Sequence, residues 1–127
     1  MGLSLSFAYA YMTLCFGVAL FQIALIAGAP WGKITQGGRY EGPLPVSGRI
    51  AAAASIVVIL AMGLSVMSAA GTWPEWPRWT GFVALGVQAL SCIANWITPS
   101  SAERRIWGPI TSLMLGLAAA VVFQFVR

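Results

Sequence analysis

Residues Ile50–Ala70 read "IAAAASIVVILAMGLSVMSAA", a run without a single charged side chain. Crossing a bilayer core of ~30 Å takes roughly 20 apolar residues as a helix. In hydrocarbon each backbone N–H and C=O needs an internal partner, and a helix supplies one for nearly all of them. This run therefore reads as a membrane span. Three more can be drawn around it, at Leu3–Gly28, Trp79–Ile97 and Ile106–Val126, all free of internal charge. Ser100 at an N-cap position, with Glu103 three residues on, makes a capping box. It places the start of the last helix near Ser101, ahead of its apolar run.

The rest of the 127 residues agrees with a lipid solvent. The chain is 59% hydrophobic and only 8% charged, with mean hydropathy +0.84; soluble domains carry about 25% charged residues. The expected fold is an all-α membrane protein. It is a single transmembrane domain over 1–127, a bundle of four transmembrane helices with one long ordered loop between helices 1 and 2. The first span lacks a basic leader and is long for a signal sequence, so "AGA" at Ala27–Ala29 is read as part of the helix end. "MGLSLS" fits a myristoylation pattern, which a full span directly behind it makes a coincidence.

Lys33, Arg39 and Arg49 in the first loop and Arg104 and Arg105 in the third lie on one side of a four-span chain. Arg78 and Arg127 lie on the other. This excess sets the first and third loops in the cytoplasm and both termini outside. The second loop, "TWPEWPRWTG", spaces Trp73, Trp76 and Trp79 three apart around Pro74 and Pro77. Indoles favour the headgroup level, so it reads as an interfacial turn, or else as an aromatic docking surface.

Polar residues inside spans face protein or water. Gln88, Ser91, Cys92 and Asn95 recur at helical spacing on one stripe, which Gly81 and Ala84 continue. Leu85, Leu90, Ile93 and Ile97 are assigned to the lipid face. On the first span Ala8, Tyr11, Cys15, Ala19 and Gln22 share a face. Ser55, Thr111 and Ser112 add polarity in the same half of the bundle, the half beneath the long loop. Interhelical hydrogen bonding explains such a pattern, and so does a polar pocket open toward the loop. Pro109 has no N–H for the Arg105 carbonyl, so a kink is expected there. Ser112, Gly116 and Ala120 form a small-residue seam, for packing within the bundle or for homo-oligomerisation.

Little catalytic chemistry is visible. Histidine is absent and the carboxylates are Glu41, Glu75 and Glu103. Glu41 is expected to pair with Arg39 or Arg49, and Glu103 with Arg104 or Arg105. No Ser-His-Asp set is possible, and no carboxylate is expected within a span. Cys15 and Cys92 are read as small embedded side chains, without a disulfide framework. "GAPWGK" departs from a phosphate loop, with three residues between its glycines and Ile34 after its lysine. Gly37–Gly38, near Arg39 and Lys33, are candidates for an anion nest. No basic cluster suits nucleic acid.

"GAPWG" at Gly28–Gly32, then Gly37–Gly38, "LP" at Leu44–Pro45 and Arg49 form the first of two patterns. "NWITPSSAERRIWGP" at Asn95–Pro109 carries the second: Asn, then Ser-x-x-Glu-Arg, then Trp-x-Pro. In combination they resemble a group of small bacterial four-helix integral membrane proteins of unassigned function. The resemblance implies a protein of the bacterial cytoplasmic (inner) membrane and brings no catalytic residues with it.

The leading expectation is a non-enzymatic protein without cofactor or metal. It would bind a lipid or small polar ligand, or serve as an accessory subunit, through its cytoplasmic half. Candidate ligand-binding residues are Gln22, Trp31, Arg39, Arg49, Ser55, Gln88, Ser91, Asn95, Glu103 and Arg104. Partners would be membrane lipids and, through Ser112, Gly116 and Ala120, a second copy or a larger membrane complex. The alternatives are a lipid-modifying enzyme using Glu103 or Glu41 with Arg49, and an oligomeric channel or small exporter. The long loop, stiffened by Pro43 and Pro45 and anchored by Trp31, is expected to be an ordered lid.

Overall fold

The computed structural model describes residues 2–127, and in it the chain is an all-α bundle. Its helices are α1 (Leu3–Ile26), α2 (Val46–Ala69), α3 (Arg78–Ile97) and α4 (Ser101–Val122). All four are long and apolar enough to cross a membrane. At ~1.5 Å per residue, the 24 residues of α2 reach about 36 Å, more than a hydrocarbon core requires. The surplus is the "VSGR" turn, which carries the helix four residues ahead of its apolar run. Pro45, extended at φ −69° and ψ 172°, caps that start. The other difference is at the C-terminus, where α4 stops at Val122 and Gln124 takes a positive φ of 59°. The Phe125 N–H closes this turn on the Ala120 carbonyl at 2.9 Å. α4 runs as one helix through Pro109. Beside it the Thr111 and Ser112 hydroxyls bond back to Trp107 and Gly108 carbonyls.

The four helices meet in one buried cluster away from the long loop, and a second, Leu25, Leu44 and Ala52, lies at the loop end. Ala8, Tyr11 and Cys15 of α1, Met62 and Val66 of α2, Ala84 of α3, and Met114, Ala118 and Val121 of α4 form one buried cluster. Small residues permit this closeness. A Cβ on Gly63 would run into the Met12 sulfur, and one on Gly81 would fall 3.3 Å from the Ala69 Cβ. The α3 stripe faces inward, with Gly81, Ala84, Gln88 and Cys92 buried. Leu85, assigned to lipid, instead packs partly buried against the core, whereas Leu90, Ile93 and Ile97 are exposed.

The small-residue seam of α4 packs within the bundle at Ser112 but not at Gly116. Gly116 is exposed and a Cβ there would meet nothing within 4 Å. The face turned inward is one step round, at Thr111, Met114, Ala118 and Val121. Ser112 serves α3 from the side, accepting the Trp96 indole N–H at 2.9 Å. At the loop-distal end Trp73 and Trp79 are exposed, where indoles suit a headgroup region. Arg78 donates there to the Val122 carbonyl at 3.1 Å.

Candidate functional site

The long loop is held to the bundle at many points. Arg49 donates to the Leu44 carbonyl at 2.9 Å and to the Ile26 carbonyl at 3.2 Å, tying the end of α1 to the start of α2. The Gly32 N–H reaches the Gly42 carbonyl at 2.9 Å, closing the loop on itself. Two short 3-10 turns, Gly32–Ile34 and Gln36–Gly38, lie between. The first turn of α4 then takes hold of them. Ser100 donates to the Lys33 carbonyl at 2.6 Å, and Trp107 to the Ile34 carbonyl at 2.8 Å. Gly38 has φ +69°, and a Cβ there would sit 2.6 Å from the Ser100 Cβ. Only glycine combines that backbone with that approach.

Half of the capping box forms. The Ser100 hydroxyl accepts the Glu103 N–H at 3.2 Å. The Glu103 carboxylate does not return the bond. It accepts the Gly37 N–H at 3.3 Å instead. Of the two amides foreseen as an anion nest, Gly37 thus meets the protein's own carboxylate, and Gly38 donates to the Thr35 carbonyl at 2.8 Å.

Beneath the loop is a cavity of about 400 Å³. Gln22 of α1, Ser55 of α2 and Ser91 and Asn95 of α3 line it, with Thr35 and Gln36 above and Glu103 at the start of α4. Gln88 forms its floor, only 2% exposed. The Tyr11 hydroxyl donates to the Gln88 carbonyl oxygen at 2.8 Å, and the Gln88 amide donates to the Thr111 carbonyl at 3.2 Å. One side chain thereby joins α1, α3 and α4 where the cavity meets the apolar core, whose Cys15, Met62 and Met114 also line it.

The remaining polar side chains do not knit the helices together. Ser55 bonds to the Ala51 carbonyl and Asn95 to the Ser91 carbonyl, each within its own helix. Gln22 has no protein hydrogen bond among the described residues, yet no buried polar atom is left unsatisfied. Its amide is therefore open to the cavity. Interhelical bonding accounts for Gln88 and for the Cys92–Ser112 contact at 3.4 Å. It does not account for Gln22, Ser55, Ser91 or Asn95.

Six of the ten candidates from the sequence thus meet in one cavity: Gln22, Ser55, Gln88, Ser91, Asn95 and Glu103. The other four lie outside its lining. Trp31 is exposed and stacks on Phe21 at 5.6 Å. Arg39 is exposed, bonding to the Gln36 carbonyl at 3.4 Å. Arg49 fastens the loop, and Arg104 donates to the Thr98 carbonyl. The expected ion pairs are different as well. Glu41 pairs with Lys33 at 3.3 Å on the exposed loop. Glu103 has no cation within ion-pair distance among the described residues and is 6% exposed. The sequence reading paired it with Arg104 or Arg105; the loop folding over the start of α4 buries it against Gly37 instead.

Thr35 and Gln36 were missed. Nothing in "KITQGG" distinguishes them, since their position depends on how the loop folds back. Among the described residues, no three His, Cys, Asp or Glu are grouped to hold a metal. Glu41, Glu103 and Arg49 are each engaged elsewhere, so no catalytic set is assembled from them. No protein-family model, curated protein or solved structure matches this chain.

Proposed function

We propose that this small membrane-spanning protein is a binding protein of the bacterial cytoplasmic membrane. It holds a lipid headgroup or a small polar molecule in the cavity beneath its long loop. The observation that carries this reading is the set of hydrogen-bonding groups there with no protein partner among the described residues: the Gln22 amide, the Asn95 carbonyl oxygen and the second carboxylate oxygen of Glu103. Polar groups at this depth are costly unless something polar meets them. Uncharged amides and hydroxyls recognise by hydrogen bonding and are poor at proton transfer, which favours binding over catalysis. The packed distal core speaks against a pore through one chain.

The excess of Lys and Arg around the loop puts the cavity on the cytoplasmic side. A phosphatase fused after Arg127 should then be active; an inactive phosphatase with a fluorescent cytoplasmic reporter would reverse the orientation. Binding is tested by native mass spectrometry of the detergent-purified protein. Asn95→Leu should reduce co-purifying ligand about tenfold, the loss of ~1.4 kcal/mol. Retention equal to wild type would remove the cavity from the explanation.

A further inference from the structure

The cavity lining carries one carboxylate and, among the described residues, no Lys or Arg. Glu103 is buried, accepts one backbone N–H, and has no cationic partner among the described residues. Each arginine that the sequence offered as a counter-ion is used on a carbonyl or points outside. A buried carboxylate needs a compensating charge or several hydrogen bonds, and one long bond to Gly37 is little. Around it the acceptors without a protein partner include the Asn95 and Gln22 carbonyl oxygens and the second oxygen of Glu103 itself. The charge that complements this lining is positive, on a group rich in N–H donors.

The cavity also has an apolar continuation. A second groove of about 300 Å³ runs between α2 and α3, through Val57, Ala61, Val83 and Val87 to Trp76 and Trp79. The two spaces share Val58, Met62 and Val87 on their walls. Ala54 and Val58, on the cavity wall, and Val57 and Val83, on the groove wall, are exposed on the outer surface of the helices. In a membrane that surface faces lipid. Polar space at one end and apolar space along the seam reproduce the shape of an amphiphile.

We propose that the ligand is a membrane lipid with a primary-amine headgroup, which slides in sideways between α2 and α3. Its ammonium meets Glu103 and Asn95, and its chain lies along Val57, Ala61 and Val83. This rests on the binding function above and specifies its ligand.

The test is native mass spectrometry of the full chain with equimolar phosphatidylethanolamine, phosphatidylcholine and phosphatidylglycerol of identical chains. Wild type should retain the ethanolamine lipid about tenfold over either of the others. Choline cannot donate N–H bonds, and glycerol carries no positive charge. Glu103→Gln keeps an acceptor for Gly37 and should level the three lipids. Ala61→Trp, on the lipid-facing groove, should reduce all three together by about tenfold. Equal or reversed headgroup preference in wild type overturns the proposal without needing any variant, as does an ethanolamine preference that survives Glu103→Gln. If wild type selects another headgroup and Asn95→Leu abolishes its retention, the cavity binds but the amine assignment is wrong. If no lipid is retained and free ethanolamine is, the cavity binds a soluble amine and the lipid assignment is wrong. If neither is retained by wild type, the binding function itself fails.

Discussion

The two halves of this bundle use the same four helices differently. Away from the loop, Ala8, Val66, Ala118 and Val121 are fully buried in one cluster, and the open space is a groove between α2 and α3. Under the loop, Gln22, Ser55, Ser91 and Asn95 stand at the corresponding inward positions, and a cavity of about 400 Å³ remains. Without a hydrophobic drive between helices in lipid, packing decides how near they come. Small apolar residues reward contact. Polar residues bonded within their own helix gain nothing from it, so the helices there are free to part. The loop then covers what they leave.

The largest expected effect tests this difference directly. Ala118 is fully buried in the distal core, and Ala118→Leu should overpack it by about 3 kcal/mol, near the upper end for added methylenes. Ala54, at the cavity wall with an exposed face, offers room. Ala54→Leu should change stability by less than about 0.5 kcal/mol. Both are read from thermal or denaturant unfolding in one detergent. Equal losses would mean the two halves are packed alike.

The next effect concerns the lid. Gly38→Ala forces a left-handed backbone on an L side chain and drives a methyl into Ser100. A cost of about 2 kcal/mol is expected, concentrated in the loop. Limited proteolysis at Tyr40 should be slow in wild type and fast in the variant, with the distal helices still protected from hydrogen exchange. A variant cut no faster than wild type would show that α4 does not hold the loop through this contact.

How much of this was legible in the sequence follows from the same physics. Uncharged runs such as Ile50–Ala70 have one outcome in lipid, so the four spans were readable. The α3 stripe was readable because 3.6-residue periodicity fixes which side chains share a face. Gln88, Ser91 and Asn95 came from that argument, and Gln22 from the same argument on α1. Trp31, Arg39, Arg49 and Arg104 were chosen by residue type and lie outside the cavity lining, since a loop arginine satisfies carbonyls as readily as it binds a ligand. Glu103 was named, but its burial was not foreseen. Its surroundings come from Gly37, 66 residues away in the chain, and periodicity carries no information about such a contact. Thr35 and Gln36 were invisible for the same reason.

A smaller effect is expected at the boundary between the halves. Tyr11→Phe removes the donor to Gln88 and leaves its carbonyl oxygen facing the core. In a sealed interior an orphaned acceptor costs about 1–3 kcal/mol. Gln88 also lines the cavity, so water admitted from above can replace the hydroxyl. Stability should therefore fall by only about 0.6 kcal/mol, the average for such bonds in membranes. A loss of 3 kcal/mol, at the top of the ~1–3 kcal/mol range for a sealed site, would show that the floor is dry and the cavity closed.

The smallest effect belongs to the exposed loop. Lys33 and Glu41 form the ion pair among the described residues, with side chains 60% and 84% exposed. Coulomb attraction there is weakened by water and salt, and two long side chains must be ordered to obtain it. Lys33→Ala should lower stability by no more than about 0.5 kcal/mol and leave proteolysis at Tyr40 unchanged. The loop's order would then rest on Arg49, Trp107, Ser100 and Glu103, all of which bond to backbone. If Lys33→Ala instead frees the loop, the lid is held by a surface charge pair, and its closure over the cavity should weaken steeply with added salt.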